Sequence, residues 1–146
     1  MKIGSVMRGC AVLAALAFLS GCSSFNREWR AAGKQPAPSG LAGRWEGRWV
    51  SDANGHNDKL RCVITEKGAN DYSADFHATY KHVFHFSYTV PLSVQKQGDN
   101  FVFSGQADLG KLAGGMYTYN GAATPTNFFS TYDSKYDHGK FEMHRP

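Results

Sequence analysis

Between Phe84 and Gln95 the chain keeps a strict period of two. Phe84, Phe86, Tyr88, Val90, Leu92 and Val94 alternate with His85, Ser87, Thr89, Pro91, Ser93 and Gln95. A helix turns 100° per residue and would scatter these apolar side chains around its surface, whereas a pleated strand puts all six on one face. The stretch is therefore a strand with one buried side. Pro91 has no amide hydrogen for a ladder, so the strand is expected to be interrupted, bulged or at an edge there.

The same pattern, in shorter pieces, covers most of the chain after Leu41. Trp45, Gly47 and Trp49 oppose Arg44, Glu46 and Arg48, and the Asn54-Gly55 turn follows. Leu60, Cys62 and Ile64 share one face of a second strand. The third places Tyr72, Ala74, Phe76, Ala78 and Tyr80 opposite Ser73, Asp75, His77 and Thr79. Beyond the Gln97-Gly98-Asp99-Asn100 turn, further strands are expected from Phe101 to Gln106, Met116 to Asn120, Asn127 to Tyr132 and Lys140 to Arg145. Short strands at near-regular spacing, without a convincing helix, predict an all-β domain. The expected architecture is a small antiparallel up-and-down barrel of about eight strands, because closure removes exposed sheet edges. A two-sheet sandwich is the alternative. The many aromatics on the apolar face predict a filled or narrow interior.

The N-terminal segment has a different character. Lys2 and Arg8 precede an apolar run from Gly9 to Leu19 that is too short to cross a bilayer and has the form of a secretory signal. It ends in Leu19-Ser20-Gly21-Cys22, which resembles the lipobox of bacterial lipoproteins. The resemblance implies cleavage before Cys22, a diacylglycerol on its thiol and usually an amide-linked acyl chain. Two or more chains suffice for stable anchoring. Ser23, where the enterobacterial inner-membrane retention signal has an aspartate, implies an outer-membrane protein facing the periplasm. Residues 1–21 are thus expected as signal, 22–40 as the lipidated cysteine with a Pro-containing tether, and 41–146 as the barrel. Phe25 to Ala32 could form a turn or two of helix. An extended tether could hold the domain up to roughly 60 Å from its anchor.

Removing the signal takes Lys2 and Arg8 from the formal charge of +4, leaving about +2 on a mature chain of about 125 residues. No basic cluster stands out, and no nucleic-acid partner is expected. Cys10 falls in the signal and Cys22 in the anchor, so Cys62 is left alone, expected as a small buried hydrophobe.

Gly43-Arg44-Trp45 resembles the G-x-W that opens lipocalins, and Trp45-Glu46-Gly47-Arg48-Trp49 is similar to the first strand of avidin-like barrels. This calycin resemblance implies that a basic residue of the closing strand, here Arg145, packs over Trp45 and shuts one end. Phe128 to Tyr132 with Asp137 to Glu142 also resembles endings of bacterial secreted β-domains, which implies a fold and no activity.

Candidate chemistry is sparse. Trp45, Trp49, Phe84, Phe86, Tyr88, Tyr117 and Tyr119 are candidates to line a pocket for an apolar or sugar ligand, or to fill the core. If a loop at Tyr80-Lys81-His82 joins the third and fourth strands, His77 lies directly opposite His85, and with Asp75 the pair is a candidate zinc or copper site. The bland alternative is a solvated polar face. No nucleophile elbow, zinc-protease helix motif or phosphate-binding glycine loop is present, so neither catalysis nor a cofactor is expected. The role expected from the sequence is a non-catalytic small-molecule-binding barrel; the alternatives are a filled structural or protein-interaction module of the envelope and a histidine metal site.

Overall fold

The computed structural model describes residues 24–36 and 40–146. The signal, Cys22 and part of the Pro-containing tether lie outside the described residues. Eight strands follow in order: β1 (Gly43–Ser51), β2 (Asn57–Glu66), β3 (Asp71–Tyr80), β4 (Phe84–Gln97), β5 (Asn100–Asp108), β6 (Met116–Ala123), β7 (Asn127–Asp133) and β8 (His138–His144). Each pairs antiparallel with the next, and β1 pairs with β8 from Glu46↔His144 to Ser51↔Gly139. The sheet is thus a closed up-and-down barrel, and the sandwich alternative is excluded.

Alternation carries one residue of every pair inward. Trp45, Leu60, Cys62, Phe76, Val90, Phe103, Tyr119, Phe128, Phe141 and Met143 belong to one continuous core. Its rings interlock. Phe76 lies 5.4 Å from Tyr88 and 5.3 Å from Phe141, Tyr132 lies 5.1 Å from Phe141, and Phe103 lies 4.8 Å from Phe128. These separations are those of packed aromatic pairs, so rings occupy the middle of the barrel.

Pro91 does not break β4. The strand runs unbroken and pairs with β3 from Tyr80↔Phe84 to Asp71↔Ser93. What stops there is the other ladder: β4 joins β5 only from Leu92↔Gly105 to Gln97↔Asn100. One further step would need an amide hydrogen from Pro91, which has none. The backbones meet closely at that point, since a Cβ on Gly105 would come within 2.6 Å of the Pro91 carbonyl oxygen. Above it β4 and β5 part, and a seam opens toward one end of the barrel.

The helix allowed for Phe25 to Ala32 is present as α1, over residues 24–33, and it is docked on the barrel where a free tether was expected. Phe25 and Trp29 are four apart and share one helical face. That face lies against the outside of β1, β2 and β3. Phe25 stacks on His77 with ring centres 4.8 Å apart, and the Arg61 guanidinium sits 5.2 Å from both the Phe25 and Trp29 rings. Arg44 lies 5.0 Å from the Trp29 ring, and Arg61 Nη2 donates to Asn26 Oδ1 at 3.3 Å. With Phe25 only 3% exposed, this segment is part of the folded domain and not a leash.

Candidate functional site

The two ends of the barrel differ in chemistry. At the end where β1 begins, Trp45 is fully buried and its Nε1 donates to the Leu41 carbonyl at 2.9 Å. The Arg145 guanidinium lies 3.9 Å from the centre of the Trp45 ring. Its Nη1 donates to the carbonyls of Ala42 (2.8 Å) and Arg44 (3.2 Å), its Nη2 to that of Gly40 and its Nε to that of Pro125 (3.3 Å). Burial lowers the Arg145 pKa, but these carbonyls and the ring face receive the charge. This end is plugged.

At the other end lie the loops β1–β2, β3–β4, β5–β6 and β7–β8. The seven aromatics expected around a ligand divide between the levels. Trp45 and Tyr119 are buried core; Trp49, Tyr88 and Tyr117 are partly buried just below the mouth; Phe84 and Phe86 are exposed at 57% and 45%. Phe84 and Phe86 were expected to face the core, and parity does place them on that side. They reach solvent because β5 no longer covers them above Pro91. Burial raises the Tyr88 pKa well above its ordinary value, assisted by Tyr119, Cys62 and Tyr117 and by a hydrogen bond with Tyr119. Burial likewise raises Cys62, which is fully buried and out of reach of reagents.

Polar side chains brace this mouth. Ser51 Oγ and Tyr132 OH donate to the two oxygens of Asp137 at 2.6 and 3.2 Å. Asp58 accepts the amide hydrogens of Lys59 and His82, both at 2.8 Å. Burial works to raise the Asp58 pKa, yet those amides and the charges of His82 and Lys59 outweigh it and hold the carboxyl below its ordinary value. The clamp on His82 matters because Lys81 and His82 both adopt positive φ, 51° and 63°, which costs energy without glycine.

The histidines sit elsewhere than expected. The β3–β4 loop is Lys81-His82-Val83, one residue later along the chain, so His77 pairs with Ser87 and His85 with Thr79. The shift by two positions preserves parity, which is why the apolar faces still match. The His77 and His85 rings stack at 5.3 Å with planes 14° apart. Their nitrogens serve other partners: His77 Nδ1 pairs with Ser87 Oγ at 2.8 Å and His85 Nδ1 with Thr79 Oγ1 at 3.4 Å, while Asp75 accepts from Thr89 Oγ1. Among the described residues, no group of three or more His, Cys, Asp or Glu side chains could hold a metal ion.

Sequence reasoning missed the role of His77, which is an outward residue buried beneath α1. Burial, with the charges of Arg61 and His85, lowers its pKa from 6.5 to about 4. Above pH 6.5 the imidazole is neutral in both folded and unfolded chains. Between pH 6.5 and about 4 the unfolded chain takes up a proton that the folded one refuses, so stability falls as pH falls through that window. The expected loss is on the order of 1–2 kcal/mol after allowance for solvent at the helix edge. Urea midpoints at pH 7 and 4.5 measure it, and His77→Gln should flatten the slope. An unchanged slope would remove His77 as the cause.

Two open grooves complete the surface. One, of about 690 Å³, lies over the outer face of β3 to β6 along Ser73, Pro91, Ser93, Ser104 and Gln106, on the side of Pro91 away from the mouth. The other, of about 930 Å³, lies over the outer face of β5 to β8 and β1, along Val102, Ala122, Phe129, Glu142 and Arg48. No family model matches the chain, and no curated protein matches it either. The fold itself is consistent with a calycin-like barrel.

Proposed function

We propose that this chain is a lipid-anchored protein of a bacterial cell envelope, held by acyl chains on Cys22 at the outer membrane and facing the periplasm. Within it, the calycin-like barrel serves as a non-catalytic interaction module that works through its outer surface. The observation that carries this reading is the interlocked ring packing from Trp45 to Tyr132, which fills the interior a carrier would need for its cargo. The exposed apolar side chains are the second support, since a filled domain with an apolar rim is suited to docking. A second reading, a small apolar or sugar ligand seated shallowly in the mouth, is favoured by the partly buried Trp49, Tyr88 and Tyr117 beneath Phe84 and Phe86.

Intact mass of the full chain matured in a bacterial host tests the anchor, with a lipid adduct expected and its loss expected in Cys22→Ser. A wild-type chain without the adduct would end the anchored reading. Native mass spectrometry of the same material separates the two roles. Mass explained by protein and anchor supports the interaction module, whereas a further small adduct that disappears on denaturation supports the ligand.

A further inference from the structure

We propose that the mouth end of the barrel is a bilayer-contacting face, seated on the membrane that holds the anchor. Among the described residues, eight large apolar side chains are strongly exposed, and six of them belong to this end: Val83, Phe84, Phe86, Leu112, Met116 and Tyr136. The opposite turns, at 67–70, 98–99 and 124–126, carry none of the eight.

The loops also share a composition. Lys81 stands two residues before Val83, Lys111 beside Leu112 and Lys135 beside Tyr136, so three of the four loops at this end join an exposed apolar side chain to a lysine. That pairing suits the boundary between headgroups and acyl chains, where the apolar side chain enters and the ammonium remains at phosphate level. The acids at the same end are partly occupied within the protein. Asp58 binds the amides of Lys59 and His82, Asp137 binds Ser51 and Tyr132, and Asp108 accepts from the Gly110 amide. The β3–β4 tip is moreover held in its unfavourable left-handed turn by Asp58, which fixes Val83 in solvent at 67% exposure.

What selects a lipid surface over another occupant is where the described chain begins. Phe25, in the first turn of α1, stacks on His77, and His77 stacks on His85, which lies in sequence between Phe84 and Phe86. Cys22 is two residues before Ser24 and cannot be more than about 7 Å from it along the chain. The first described turn of α1 therefore lies beside the upper half of β3 and β4, and the attachment point is two residues from it along the chain. This inference rests on the anchored reading, because it takes the membrane to be at Cys22.

The test uses the full lipidated chain in vesicles of phosphatidylethanolamine and phosphatidylglycerol. Val83→Cys, Leu112→Cys and, at the opposite end, Asp99→Cys each carry a fluorophore, Cys62 being buried and the Cys22 thiol blocked by its diacylglycerol. Lipids bearing a quencher are expected to reduce the emission at 83 and 112 roughly twofold or more and to leave 99 unchanged, as for side chains at the acyl boundary. Equal emission at all three sites, quenching at 99 instead, or quenching at 83 and 112 that depends on protein density without quencher lipid overturns the proposal. The last result would indicate a second copy of the chain on this face. Intact mass is read first, so a missing lipid adduct is recognised as failure of the anchored reading. In that case added vesicles that quench 83 and 112 sustain the face, and vesicles that quench neither overturn it.

Discussion

Replacing Trp45 by alanine is expected to destabilise the barrel by about 3–5 kcal/mol, the usual cost of removing a large ring from a fully packed site. Trp45 has no exposed surface, and its ring supports Phe128 at 5.7 Å and the Arg145 guanidinium at 3.9 Å. The substitution leaves Arg145 over a void while its carbonyl partners remain, so the cavity cost is joined by the loss of the cation–ring contact. A domain of this size has only about 5–15 kcal/mol in total, and the variant should be close to unfolding at 37 °C. Urea denaturation measures the change. Arg145→Lys makes the complementary case, since an ammonium cannot reach several carbonyls from one planar fork. A loss below about 1 kcal/mol in Trp45→Ala would show that the plug is decorative.

The second large effect concerns α1. In Phe25→Ala the helix should leave the barrel, because a helix of this length is marginal alone and Phe25 is its one fully buried side chain among residues 24–33. The cost is about 3 kcal/mol, at the low end for a buried phenylalanine since the site lies on the outside of the sheet. Two readouts should move together. Amide exchange across residues 24–33 should become fast. The His77 imidazole, relieved of its cover, should titrate nearer its ordinary 6.5 than the value of about 4 it has beneath the helix. Continued protection of the helix with an unchanged titration would end the account of α1 as a clamp.

The fold was largely legible because alternation states a face and a period at once. The inward residues of β1 to β8 are those that the period of two selects, and Asn54-Gly55 and Gly98-Asp99 mark turns by chemistry. Three features were not legible. The β3–β4 register was missed by two positions, since a three-residue loop fits equally well at either of two parity-equivalent places and the Asp58 carboxylate that receives the His82 amide lies 24 residues earlier, outside the local pattern. Docking of α1 was missed because Phe25 and Trp29 state an apolar stripe but not its partner. Arg44, Arg61 and His77 read as ordinary solvated charges until they are seen side by side. The exposure of Phe84 and Phe86 was missed because the edge expected at Pro91 falls on one side of β4 alone, where the ladder to β5 ends, and strand parity does not show which side.

The site was less legible than the fold. Trp45 with Arg145 came from a resemblance in three residues and finds its partner geometry in the structure. The aromatics offered as pocket residues could not be divided by sequence, because strand parity states which side of the sheet a ring occupies and not how high in the barrel it sits. Likewise Lys111-Leu112 and Lys135-Tyr136 each look unremarkable until the topology brings their loops to one end.

Closure of the barrel through β1 and β8 has a consequence for how the chain acquires its structure. Every neighbouring pair from β1–β2 to β7–β8 is a hairpin or near-hairpin that can form as soon as its own residues are available. The final ladder joins positions 88 to 98 residues apart, from Ser51↔Gly139 to Glu46↔His144, and the hydrogen bonds from Arg145 to Gly40, Ala42 and Arg44 join positions more than 100 residues apart. They must wait for the residues of β8 to emerge, and until then β1 and the strand formed last present unpaired edges. A chain threaded through a membrane from its N-terminus would thus be an open meander throughout export. It would close in one late step, so truncation of even the final few residues should abolish the barrel rather than shorten it.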